Sequence, residues 1–249
     1  MLREDSLARL EKPALVELAA GVGRSTMATR VFRLLREAIV TLRIRPGDML
    51  SEADVSRKMG VSRQPVREAF IKLSEIGLVE IVPQRGTFVV KISMAAVAAA
   101  QFVREAIEVA IARRACEVAS DADVAAIRSV IERQKDALNR DDHTGFLALD
   151  ESFHRALAEA ARCTAARRSI EAVDAQLDRV RFLSLPLFAH MPMIIATHEK
   201  IFAAIEARAV EVAEQAMREH LSALPFYLPE VASRYSDLFS DEDRGKPAV

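Results

Sequence analysis

The stretch PGDMLSEADVSRKMGVSRQPVREAFIKLSEIGLVEIVPQRGTFVVKI, residues 46–92, decides the fold of the first part of the chain. Pro46-Gly47 is a turn signal that closes the preceding run TRVFRLLREAIVTLRIR. In that run Val31, Leu34, Leu35, Ala38 and Ile39 recur at helical spacing and predict an inward face. Ser51 suits a helix N-cap, and Asp54 stands three residues on, where a capping box usually has Glu. Leu50 and Val55 occupy the positions of a hydrophobic staple. Gly60 can end the second helix in the left-handed conformation, and only Val61 separates it from Ser62, the next candidate cap. Two short helices joined so tightly behind a first one predict a helix-turn-helix.

The third helix, SRQPVREAFIKLSEIG, turns Val66, Ala69, Phe70 and Leu73 to one side. Arg63, Gln64 and Arg67 fall on the other, within the first two turns. Pro65 is tolerated there because first-turn amides have no helical partner. An N-terminal cluster of Arg and Gln is what a recognition helix needs, since Arg forks onto guanine and Gln onto adenine. Taken singly, each arginine could equally be part of a solvated face. After Gly77 the period changes to two, so LVEIVPQRGTFVVKI reads as strand, Pro-Gln-Arg-Gly turn and strand. Arg85 brings charge to the tip of that wing, and Gly86 permits close approach of the backbone to a phosphate or a minor groove. The set predicts a winged helix.

Charge separates the two halves of the chain. Residues 24–91 carry thirteen Lys and Arg against seven Asp and Glu, whereas residues 93–249 carry nineteen against twenty-five. Only the first half is suited to a polyanion. Of the 249 residues 51% are hydrophobic, enough for a sizeable core, and Ala is abundant. The sequence has no apolar run of membrane-spanning length, the acidic start MLREDSLARLEKP does not read as a signal peptide, and two cysteines make no disulfide framework. These features predict a soluble cytoplasmic protein with no membrane partner.

In the acidic half, FLALDESFHRALAEA places Phe146, Leu149, Phe153 and Leu157 on one helical face, and Asp150 and His154 share it. IATHEKIFAAIEA puts His198 on the stripe of Ile194, Ile195, Ile201, Phe202 and Ile205. VEVAEQAMREHLSAL puts His220 with Ala213, Ala216, Met217, Leu221 and Leu224. His143 and His190 fall in a polar turn and at a helix start. A lone inward histidine is usually a core residue bonded to a carbonyl. One Asp and three His from three helices suit a divalent metal, with zinc the leading choice and nickel, manganese or iron open to the same ligands. A buried polar network without metal is the alternative. In VAAAQFVREAIEVAIARRACEVA, Val97, Ala100, Ile107, Ile111 and Val118 predict an inward face that includes Arg104. An inward Arg beside a metal favours an anion, because guanidinium matches carboxylate two-pronged. Arg181 in LDRVRFL is a second, weaker candidate.

The run GVSRQPVREA, followed by GLV and RGTFV, resembles the winged helix of GntR-family bacterial transcription regulators. The resemblance implies that Ser62, Arg63, Gln64 and Arg67 touch operator DNA, with Arg85 and Gly86 contributing from the wing. Some relatives have a further basic residue early in the second helix; this chain has Ala53 there, beside Glu52, and that contact is not carried over. Asp150, His154, His198 and His220 resemble the metal ligands of the FCD effector domain in the FadR-type branch, an antiparallel all-α bundle. Arg104 occupies the place of an effector-binding Arg in that domain. Relatives often have Asn where this chain has Cys163, which puts in doubt any pocket contact an Asn would make.

The fold class expected is therefore mainly α: a winged helix-turn-helix, then an antiparallel bundle of about six helices starting near Ser93, Asp121, Thr144, Thr164, Pro192 and Val210. That count points to the VanR-type group. The expected domains are an N-terminal extension (1–25), a DNA-binding domain (26–92), a helical domain for metal, effector and dimerisation (93–236), and a flexible tail (237–249). The expected function is a homodimeric regulator, a repressor by family habit. It binds palindromic operator DNA and answers to a small carboxylate such as a sugar acid, an aromatic acid or another organic acid. Two other readings stay open: a metal-dependent hydrolase, and a regulator whose metal is purely structural.

Overall fold

The computed structural model describes residues 25–171, 174–188 and 190–240. The expected extension, residues 1–25, lies outside the described residues but for Ser25. The described chain forms two compact units. One comprises the residues up to Ser93 together with those from Asp237 on; the other is Met94–Ser236.

The first unit opens with α1 (Met27–Val40), capped by Thr26, whose hydroxyl accepts from the Thr29 amide. The inward face comes out as the spacing predicts, with Val31, Leu35, Ala38 and Ile39 fully buried. A two-residue strand, β1 (Met49–Leu50), leads into α2 (Glu52–Met59). Ser51 caps α2 by accepting from the Asp54 amide at 3.3 Å. The capping box is only half made, because the Asp54 carboxylate pairs with Arg57 at 2.7 Å. Leu50 and Val55 are both buried, as a staple requires. Gly60 ends α2 at φ 65°, the left-handed value a side chain would resist. The next helix, α3 (Arg63–Glu75), buries Val66, Ala69, Phe70 and Leu73. Each such large side chain removed from water contributes on the order of 1.5–3 kcal/mol.

Strands β2 (Val79–Val82) and β3 (Gly86–Val89) pair antiparallel with Val79 opposite Val89 and Val82 opposite Gly86. β1 adds to the free edge of β3, giving the order β1-β3-β2. The turn between β2 and β3 closes by the Arg85 amide bonding the Val82 carbonyl at 3.1 Å, and Gln84 takes the positive φ of 62°. The C-terminal segment returns to this unit. Ile92 forms a parallel bridge with Phe239, and Leu238 and Phe239 are buried. Of the tail expected from 237 onward, residues 237–240 are described and place two large apolar side chains under cover; 241–249 lie outside the described residues.

The second unit is all helical: α4 (Met94–Val118), α5 (Asp121–Asn139), α6 (His143–Ala160), α7 (Thr164–Glu171), α8 (Ala175–Phe188), α9 (His190–Glu206) and α10 (Val210–Arg234). α5 starts from a complete capping box of Ser120 and Asp123. α4 packs on α10, α5 on α6, and α9 on both α5 and α10. Arg113 with Glu214 and Arg218 with Glu105 show that α4 and α10 run antiparallel. Among the described residues the second unit holds seven helices where about six were expected. The stretch read as one helix from Thr164 is described as α7 and α8, with 172–173 outside the described residues. On α4 the expected inward residues Val97, Ala100, Arg104 and Ile111 are buried, but so are Gln101, Glu108, Ala112 and Ala115, while Ile107 and Val118 are only partly so.

Candidate metal centre and nucleic-acid interface

Residues from α6, α9 and α10 meet inside the second unit. Asp150, His154, His198 and His220 each offer one ligand atom, and those atoms lie within 4.8 Å of one another. The periodicity of α6 accounts for the first pair: Asp150 and His154 are one turn apart on the face that also buries Phe146, Leu149, Phe153 and Leu157. Phe153 stacks on the His198 ring at 3.8 Å between centroids and fixes its plane. His154 Nε2 and His220 Nε2 are 3.2 Å apart, and His198 Nε2 is 3.5 Å from Asp150 Oδ1. Asp150 Oδ1 and His198 Nε2 are buried without a hydrogen-bond partner. Such atoms normally cost free energy to bury unless something pairs with them. A divalent cation would satisfy these lone pairs together, so the donor set fits one.

Electrostatics support neutral, ligating imidazoles. Burial lowers the pKa of His154 to about 4, although Glu108 opposes the shift. Burial, followed by the neighbouring imidazoles, takes His198 well below its ordinary value. Burial does the same to His220, with His154 and Arg104 adding to it. Neutral imidazole is the form that binds metal.

Around this set lies a buried ion network. Glu108 faces His154 Nδ1, accepts from Arg104 Nε at 2.7 Å, and stands 3.3 Å from Arg167 Nη1. Burial raises the Glu108 pKa, but Arg104, His154 and Arg167 outweigh it and hold the carboxyl well below its usual range. Arg104 also places Nη2 2.7 Å from His154 Nε2. Arg181 pairs with Asp150 and, at 3.3 Å, with Asp178. The Arg181 side chain is only 12% exposed. A pocket adjoins this set, lined by Arg104, Asp150, Arg181 and His220 and walled by Phe146, Leu185 and Ile194. His190, expected merely at a helix start, is buried and also lines it, as does Tyr227. Cys163 is not among the lining residues; its thiol turns to the Ala161 carbonyl.

In the first unit Ser62, Arg63, Gln64 and Arg67 stand together and exposed at the start of α3. Ser62 has the extended backbone of a cap but makes no side-chain cap bond. Arg67 is forked onto Glu52 at 2.9 and 3.0 Å, and Gln64 donates to Glu68 at 3.0 Å. Arg85 is exposed at the wing tip. Gly86 has φ 124°, and an added Cβ would crowd Met49 Sδ at 3.3 Å.

Residues 27–89 match the family model described as bacterial regulatory proteins, gntR family, and residues 100–223 match the FCD domain. The chain belongs to the GntR family, in the branch that carries an FCD domain. A similar GntR regulator is the HTH-type transcriptional repressor RspR of Escherichia coli K12, 41% identical over 213 residues, which are 86% of this chain and 93% of RspR. A probable D-xylose utilization operon transcriptional repressor of Paenarthrobacter nicotinovorans is 28% identical over 211 residues, 84% of this chain and 90% of that protein. Among solved structures, E. coli McbR/YncC aligns with a TM-score of 0.73 at 17% identity, covering 85% of this chain and 99% of that one, which shows the shared fold. GntR-FCD proteins are DNA-binding transcription regulators, and that membership gives the hydrolase reading no support. The family models do not single out the VanR-type group within that branch.

Glu108 and Arg167 were not singled out from the sequence. The spacing of Arg104 and Glu108, four apart on one helix, was the available signal for Glu108.

Proposed function

We propose that this GntR regulator represses transcription from the cytoplasm by binding palindromic operator DNA as a homodimer. We infer further that its helical unit holds one divalent cation and a small carboxylate effector. The observation that carries the second statement is the convergence of four ligand atoms within 4.8 Å beside a pocket that presents Arg104 and Arg181. Asp150, His154, His198 and His220 would hold the cation; zinc is the first choice for three imidazoles and a carboxylate, with nickel, manganese and iron open to the same set. When bound, it supplies a Lewis-acidic position for an acid's oxygens. One carboxylate and three neutral imidazoles do not cancel a double positive charge, so the site favours an anion. Arg104 and Arg181 would engage the effector carboxylate, and Phe146, Leu185 and Ile194 limit its size.

On the DNA side, Ser62, Arg63, Gln64 and Arg67 would enter the major groove, with Arg85 and Gly86 on the flanking backbone or minor groove. Arg67 must then exchange Glu52 for a base or a phosphate. Repression is supported by the two relatives named as repressors. The effector alters operator affinity only by binding one DNA-binding state better than the other.

The test begins with operator selection from random duplexes using zinc-loaded protein, followed by titration with sugar acids and aromatic acids. At least one acid is expected to shift operator affinity by about tenfold, and Arg104→Ala to abolish the shift. If no acid changes operator affinity or binds with measurable heat, the helical unit serves only dimerisation around a structural metal.

A further inference from the structure

The three imidazoles face the centre through the same nitrogen, Nε2, and each turns Nδ1 to a different polar side chain. Glu108 on α4 meets His154 Nδ1. Gln134 on α5 places Oε1 2.9 Å from His198 Nδ1. Thr197 on α9 places Oγ1 2.9 Å from His220 Nδ1. The partners on the Nδ1 side favour one position for the ring hydrogens. The single hydroxyl hydrogen of Thr197 is given to the Ile194 carbonyl at 2.8 Å. Toward His220 the hydroxyl can therefore only accept, and Nδ1 must carry the hydrogen. His154 is constrained from both sides: an ionised Glu108 only accepts at Nδ1, and Arg104, which only donates, stands 2.7 Å from Nε2. At His198 the Gln134 carbonyl accepts from Nδ1, and Gln134 is itself fully buried. All three rings are left with an Nε2 that carries no hydrogen and is directed inward, that of His154 accepting from Arg104.

We propose that Glu108, Gln134 and Thr197 are positioning residues that preset the tautomer and orientation of the three histidines, so that they govern affinity for a divalent cation without touching it. The inference rests on the metal reading of the preceding section. Three partners from three helices, each on a different ring, make a complete outer layer. An imidazole held in this way does not have to shift its proton or rotate when the cation arrives, and loss of such partners typically lowers metal affinity 10- to 100-fold.

The full chain, stripped of metal, is titrated with zinc alone against a chromogenic chelator. Thr197→Val keeps the volume and removes the acceptor; Thr197→Ser keeps the acceptor and removes a methyl. Zinc affinity is expected to fall about 10- to 100-fold in Thr197→Val and Gln134→Leu and to stay near wild type in Thr197→Ser. Glu108→Gln is a less clean variant, because it also leaves Arg104 and Arg167 short of a counter-charge. Nitrogen NMR of the metal-free wild type gives a readout independent of zinc: hydrogen on Nδ1 is expected at all three rings, with His220 losing that preference in Thr197→Val. Wild-type zinc binding with Thr197→Val and Gln134→Leu within about twofold of it would overturn the inference and leave the metal reading standing. Nε2–H tautomers in the metal-free wild type would overturn it as well. A wild type that takes up no zinc would overturn the metal reading itself, and the inference with it.

Discussion

Single side chains in the helical unit are set by competition between burial and charge, and Asp174 shows the outcome most clearly. It is buried 3.5 Å from Arg167, yet burial, reinforced by Asp178 and Glu108, overcomes Arg104 and Arg167 and pushes its pKa from 3.8 up to about 7. A carboxyl whose folded pKa lies above its unfolded one binds its proton more tightly in the folded state. Its contribution to stability is full below about pH 4 and is lost as the pH rises toward 7. Asp174→Asn removes that dependence. The variant should therefore gain stability relative to wild type between pH 4 and 7 and keep a constant difference above it. Urea unfolding across that range checks this, and a difference that does not vary with pH would sink the assignment. The same scale shows what a sequence can reveal of a site. Asp150, His154, His198 and His220 were legible because each interrupts a strong apolar stripe. Glu108 was not, since Ile107 and Ile111 already offered α4 an acceptable inward face; the observed face keeps Ile111 but also takes in Gln101, Arg104 and Glu108. Polar residues that cross a buried network defeat any reading by hydrophobic period.

Among the elements, α2 and α3 were readable from their punctuation, because Ser51, Gly60 and Pro65 each leave the chain few local choices. β1 was not, since two residues are too few to show a period of two. Two predictions belong to α2 and α3. Ser51→Ala removes the cap bond to the Asp54 amide and should cost about 1 kcal/mol in thermal or urea unfolding of the DNA-binding unit. Arg63 is exposed at the N-terminus of α3, and Arg63→Ala should weaken specific operator binding on the order of tenfold to a hundredfold, with melting temperature and metal content unchanged. A footprint at wild-type protein concentration would remove Arg63 from the recognition surface.

Across the whole molecule, the division into a basic winged helix and an acidic helical unit was visible in charge and periodicity alone. The return of Leu238 and Phe239 to the first unit was not, because a short apolar pair before a charged end looks the same whether covered or free. The central claim is that the helical unit is organised around a cation. A cation held at about a hundred times its Kd adds about 2.7 kcal/mol to the state that binds it. Zinc should accordingly raise the melting temperature of wild type and leave His198→Ala unchanged. The most direct measurement is elemental mass spectrometry of untagged protein purified without chelator. About one divalent metal per chain is the predicted result. No metal, even after zinc or nickel is added back, would contradict the account and reduce Asp150, His154, His198 and His220 to a buried polar network.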